Sequence, residues 1–116
     1  MEKRNLLEET LKALKEHGRT PEDVAWVGST SFGWFTWEEF TKVANQEYEA
    51  GWGSQKVASD LVVVGKWWQD RAWWLERWEY DGAEGWAYKE LPRRPIQHRR
   101  PTRHDIFNRG EPLLKS

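Results

Sequence analysis

The sequence predicts an α+β domain, an antiparallel sheet of about four strands with two main helices packed on it, followed by a basic, proline-rich tail. Three observations carry that expectation. The stretch 60–91, DLVVVGKWWQDRAWWLERWEYDGAEGWAYKEL, holds six of the ten Trp and reads as a three-stranded antiparallel meander. Two amphipathic segments with helix start signals precede it. After Leu91 the composition turns abruptly to arginine and proline, so the chain divides into a domain over 1–91 and a tail over 92–116.

In the meander, Leu61 to Val64 form a β-branched run that favours a strand, and Asp81-Gly82 is a strong hairpin signal. The expected strands cover 61–67, 72–80 and 86–91, with turns at 69–71 and 81–85. Alternate residues of a strand point to opposite faces. Trp74, Glu76, Trp78 and Tyr80 therefore share one side, and Trp73, Leu75, Arg77 and Glu79 share the other. Both faces carry Trp, whereas a sheet with one wet face alternates apolar with polar, so each face is expected to be covered by this chain's helices or by a partner.

Upstream, Asn5 followed by Glu8 has the spacing of a helix N-cap, Leu7, Leu11 and Leu14 recur along one stripe, and Gly18 is placed to stop the helix. Thr20-Pro21-Glu22-Asp23 suits a single helical turn, after which 24–27 reads as a short strand and 29–33 as a loop. Thr36 with Glu39 forms a capping box that opens a helix from Trp37 to about Ala50. Its expected apolar face is Trp37, Phe40, Val43, Ala44 and Tyr48, and Gly51 supplies the stop.

Composition excludes several classes. There is no Cys, so neither a disulfide framework nor a thiolate zinc site is available. The N-terminal stretch is charged and periodic rather than apolar, and no apolar run approaches membrane-spanning length, so a cytoplasmic protein without a membrane role is expected. The charge is unevenly placed: the segment 92–116 carries seven Lys or Arg against two acids, while the rest of the chain is mildly acidic. Three Pro within 92–101 argue against regular structure there.

No catalytic motif emerges, and neither an enzyme nor a cofactor is expected. His98, His104 and Asp105 are the nearest approach to a metal cluster, but a proline-rich tail offers nothing to orient them, so no metal site is assigned. Glu76, Glu79, Asp81, Glu84 and Glu90 read as ordinary cross-strand partners of Arg77 and Lys89. The candidate ligand- or partner-binding residues are Trp52, Trp67, Trp68, Trp74, Arg77, Trp78, Tyr80 and Trp86. Arg77 is flanked by rings and suits either a cation–π or salt-bridge contact within the fold or the capture of a phosphate or carboxylate. In the tail, Arg93, Arg94, Arg99, Arg100 and Arg103 suit either a solvated segment or an arm for nucleic acid, since phosphate contacts need little beyond basic side chains.

The run Asp60-Leu61-Val62-Val63-Val64-Gly65, then Trp73-Trp74-Leu75-Glu76-Arg77, then Glu79-Tyr80-Asp81-Gly82 with Glu84, Trp86 and Lys89, resembles a pattern in small uncharacterised bacteriophage and prophage proteins. Asp23-Val24, Trp26-Val27-Gly28 and Glu39-Phe40 extend the resemblance to roughly residues 20–92. This chain differs in the extra residues around Trp67 and Trp68, and in Gly85 where an aromatic is expected. The resemblance implies a phage accessory protein of the bacterial cytoplasm that antagonises host defence by binding and blocking a protein target. A host defence protein or a second copy of the chain is the expected partner. Two alternatives stay open: sequestration of a nucleotide immune signal in a pocket of Trp and Arg77, and nucleic-acid binding through the tail.

Overall fold

Strand pairing in the computed structural model, which describes residues 2–51, 53–67 and 71–107, produces two antiparallel sheets. The larger contains β2 (Val24–Ser29), β3 (Gly33–Phe35), β5 (Val62–Gly65), β6 (Trp73–Tyr80) and β7 (Ala83–Glu90), in the order β3-β2-β5-β6-β7. The smaller is a ribbon of β1 (Glu2–Asn5) and β4 (Glu47–Ala50). The helices are α1 (Leu6–Glu16), α2 (Trp37–Ala44) and one short turn, α3 (Arg103–Ile106). A 3-10 turn at Pro21–Asp23 leads into β2. No helix among the described residues is long and apolar enough to cross a membrane.

The C-terminal meander β5-β6-β7 forms as its residues dictate, with one change of register. Tyr80 pairs with Ala83, so the turn is the two residues Asp81-Gly82, and the last strand begins three residues before the expected Trp86. Both turn residues have positive φ, 52° and 88°. A two-residue hairpin of the primed type requires that geometry, and Asp-Gly supplies it at low cost. At the other end of the chain, the Asn5 side chain accepts from the Glu8 N–H and caps α1, and Thr36 and Glu39 form the reciprocal box that opens α2.

Two expectations are corrected. Helix α2 ends at Ala44 rather than near Ala50, because residues 47–50 pair with β1, and Tyr48 sits on a strand. The segment 29–33 is the turn of a hairpin, closed by the Ser29 hydroxyl accepting from the N–H groups of Ser31 and Phe32, and β3 follows it. The sheet therefore has five strands where about four were expected. The tail follows no regular path from Pro92 to Thr102, but downstream of its prolines it forms the single turn α3.

The core lies on one face of the five-stranded sheet. Val24, Val27, Val63, Trp73 and Leu75 on that face pack against Leu14 of α1, Phe40 and Ala44 of α2, and Leu61. Val27, Val63 and Leu75 are fully buried, each contributing about 1.5–3 kcal/mol relative to exposure, so the three central strands hold the layer together. Gly65 has a close-packing role here. A Cβ at that position would stand 2.0 Å from the Trp73 indole, so only glycine lets that ring lie flat against β5.

Candidate functional site

The two faces of the sheet end differently. The face bearing Trp73, Leu75 and Arg77 is covered by the helices and buried. The opposite face is not covered among the described residues. Register places Trp26, Val64, Trp74 and Lys89 side by side across it, and Trp34, Gly28, Val62, Glu76 and Ala87 in the next row. Trp78 beside Gly85 and Tyr80 beside Ala83 complete the surface towards the hairpin tip.

On this open face Trp34 is 69 % exposed, Trp78 43 % and Tyr80 79 %. At roughly 150–250 Å² per aromatic side chain, those three rings alone present on the order of 300–450 Å² of surface. Trp78 lies against the backbone of Gly85, where a Cβ would approach within 3.1 Å of two indole atoms. Its outward ring face is consequently available for stacking. Trp74 is half-buried between its neighbours, and its indole N–H donates to Glu76 at 2.8 Å.

Arg77 belongs to the covered face and is wholly enclosed, with none of its side chain exposed. Nη1 donates to Glu9 of α1 at 3.0 Å, and Nη2 donates to Glu84 of β7 at 3.0 Å and to the Tyr48 hydroxyl at 3.3 Å. The guanidinium also lies 4.7 Å from the centre of the Trp86 ring. Glu84, itself buried, accepts from the backbone N–H groups of Lys56 and Val57 at 2.7 and 3.1 Å. Arg4 donates to Glu9 and to the backbone carbonyl of Glu84. One charged knot therefore ties α1, the β1–β4 ribbon, the segment at 56–57 and the sheet.

The electrostatics follow from that geometry. Burial pushes the Glu84 carboxyl up, but the Lys56 and Val57 N–H groups and Arg77 outweigh it and hold the carboxyl below the ordinary range. Burial likewise works against a charged Arg77, and Tyr48, Glu9 and Glu84 overcome it and raise its pKa. Burial and the neighbouring Glu9 raise the Tyr48 phenol, which stays protonated and donates to Glu9 at 2.8 Å. Among the side-chain nitrogens and oxygens of the described residues, only Arg77 Nε is buried without a hydrogen bond.

The site residues read from the sequence thus separate into groups. Trp74, Trp78 and Tyr80 come together on the open face, joined by Trp26 and Trp34, which sequence reading had not selected. Arg77 and Trp86 are on the covered face, where the Trp86 indole N–H donates to the Thr10 hydroxyl at 2.9 Å. The combination of Arg77 with Trp74 and Trp78 in one nucleotide pocket is not assembled, because the sheet itself stands between them. Trp67 is 71 % exposed in the segment that leaves β5. Trp52 and Trp68 lie outside the described residues. Arg93, Arg94, Arg99, Arg100 and Arg103 are all exposed, with Arg99 paired to Asp105 and Arg103 placed over the Phe107 ring.

Elsewhere, a mainly apolar groove of about 610 Å³ lies between α2, β4 and the segment at 56–61, with Phe35, Phe40, Val57 and Leu61 in its walls. No group of three metal-ligating side chains converges among the described residues. Comparison with protein-family models, with curated proteins and with solved structures finds no match.

Proposed function

We propose that the protein is a non-enzymatic binding protein whose working surface is the open, tryptophan-bearing face of the five-stranded sheet, and that it acts by covering and blocking a protein target. The contrast between the two faces carries this reading. One is closed by the chain's own helices, while the other keeps Trp34, Trp78 and Tyr80 in solvent. Exposed apolar patches of a few hundred Å² on a small protein commonly mark interaction sites, and Trp and Tyr dominate binding energy where they are found. The exposed rings supply about half of the roughly 800 Å² per partner of a standard interface, so a polar rim that includes Glu76, Lys89 and Asp81 completes it. The chemistry of the covered face supports binding over catalysis, since Arg77, Glu9 and Glu84 are consumed by one another.

The resemblance to phage and prophage proteins supplies the biological frame, in which the target is a component of bacterial defence and the protein acts in the host cytoplasm. The test compares the wild type with the double variant Trp34→Ser, Tyr80→Ser. Both positions are exposed, so unfolding free energy should change by less than about 0.5 kcal/mol per substitution. In bacterial lysate the wild type is expected to retain a defined protein in a stoichiometric, size-resolved complex that the variant loses. Equal retention by the variant, or no complex with either, would remove this reading.

A further inference from the structure

At the end of the sheet opposite the Asp81-Gly82 hairpin, a cavity of about 190 Å³ is lined by Arg19, Arg71 and Arg93, with Ala72, Glu90 and Leu91. The three arginines come from separate parts of the chain: the segment after α1, the second residue before β6 and the start of the tail after β7. Sequence reading grouped only Arg93 with a binding role. Folding brings three arginines and one glutamate to a single cavity.

Arg19 is held in place before any ligand arrives. Its guanidinium lies 5.0 Å from the centre of the Trp73 ring, and Nε and Nη2 donate to the Tyr88 hydroxyl at 3.3 and 3.1 Å. Tyr88 is in turn stacked on His17, with ring centres 4.1 Å apart, and packs against Trp73. A guanidinium fixed by a ring and a hydroxyl loses little freedom when it binds, and Nη1 makes no hydrogen bond among the described residues. Glu90 accepts from the Tyr88 hydroxyl at 2.6 Å and lies 3.9 Å from Arg19. Neither Arg71 nor Arg93 meets a carboxylate among the described residues.

We propose that this cavity is a phosphate-binding site that receives the backbone of a single-stranded nucleic acid. Planar guanidinium groups grip phosphate through paired hydrogen bonds, and three of them around a cavity of this size suit one phosphodiester group. The surroundings favour a strand over an isolated phosphate. Arg94 and Arg100 follow in the irregular tail and are exposed, and Lys66 and the exposed Trp67 leave β5 at the same end of the sheet. Repeated cations beside an exposed ring match repeated phosphates beside unstacked bases. Asp23, at the entry to β2, is engaged by the Thr20 backbone N–H and hydroxyl.

The site is independent of the tryptophan-bearing face, and its test keeps the two apart. Fluorescence anisotropy with a labelled single-stranded oligonucleotide is measured across a salt series for the wild type, for Arg71→Gln, Arg93→Gln, and for Trp34→Ser, Tyr80→Ser. Arg71 and Arg93 are exposed, so thermal unfolding of the first variant should match the wild type. Each phosphate contact contributes about 0.7 to the slope of log K against log salt for a single strand, so losing two should flatten that slope by roughly 1.4. The arginine variant is also expected to bind at least tenfold more weakly, while the Trp34, Tyr80 variant binds as the wild type does. Unchanged affinity and slope in the arginine variant would overturn the assignment. So would the absence of wild-type binding at low salt, preference for duplex over single strand, or equal competition by polyglutamate.

Discussion

Replacing Arg77 with Met lowers the unfolding free energy by about 3–5 kcal/mol, the largest loss expected from any single polar substitution in this chain. The magnitude follows from what remains. Glu84 is 1 % exposed, and without the guanidinium its carboxylate stays in the interior without a cation, while Glu9, 15 % exposed, keeps only Arg4. The intact pair need not be strongly stabilising on its own, since desolvation offsets most of its attraction; removing one member is what costs. Total stability for a domain of this size is on the order of 5–15 kcal/mol, so the variant should show a large fall in urea midpoint. Arg77→Lys is expected to rescue only part of the loss, because one ammonium does not reproduce the fork that reaches Glu9, Glu84 and Tyr48 together. A midpoint within experimental error of the wild type would mean that the knot is not a structural determinant.

The same knot fixes a pH dependence. The Glu84 carboxyl is held below its ordinary range in the folded state, so the folded protein binds fewer protons there than the unfolded chain. Its contribution is complete above the ordinary glutamate value of about 4.3 and is lost as pH falls through the lowered folded value. Wild-type stability should decline on acidification across that window, and the deficit of Arg77→Met relative to wild type should shrink there. Denaturant melts at a series of acidic pH values check both; a deficit that widens as acid is added would contradict the assigned role of Glu84.

The second large effect is expected at Trp73. Truncation to Ala removes a ring that is 3 % exposed and packs on Gly65 and Tyr88, a change that costs about 3–5 kcal/mol in transfer and cavity terms. Gly65→Ala forces the same ring outward and costs about 1–3 kcal/mol by overpacking. The two substitutions share one space, so their costs should not add. With Trp73 already truncated, the methyl at 65 has room, and the double variant should be more stable than the sum of the singles by about 0.5–3 kcal/mol. Strict additivity in urea melts would show that the ring does not occupy the place above Gly65.

The parts of this fold that were legible in the sequence are those decided over short range. Asn5 with Glu8, Thr36 with Glu39 and Asp81-Gly82 each fix a cap or turn through neighbours a few residues apart. Alternation along 73–80 correctly divides the residues of β6 between two faces. The β1–β4 ribbon was not legible, because it joins segments more than forty residues apart and the helical spacing of α2 continues through Tyr48. Strand pairing overrides that spacing.

The site divides in the same way. Trp74, Trp78 and Tyr80 could be grouped because they alternate on one strand. Trp26 and Trp34 join them only through the pairing of β2 with β5 and β3, which sequence spacing alone does not reveal. Arg77 was ambiguous for a comparable reason: its acids are 68 and 7 residues away, and nothing local distinguishes a guanidinium with partners from one without. Arg19, Arg71 and Arg93 are likewise neighbours by topology alone.

The sheet face left open among the described residues governs the behaviour of the purified molecule. With a formal net charge of −1 at pH 7, molecules repel one another weakly, and nothing electrostatic keeps two such surfaces apart. Solubility should therefore be limited by concentration, with reversible clustering that grows near the isoelectric point of about 6.3 and recedes on either side of it. Indole on that surface would serve as its own optical gauge, its emission shifting to the blue as the rings leave water.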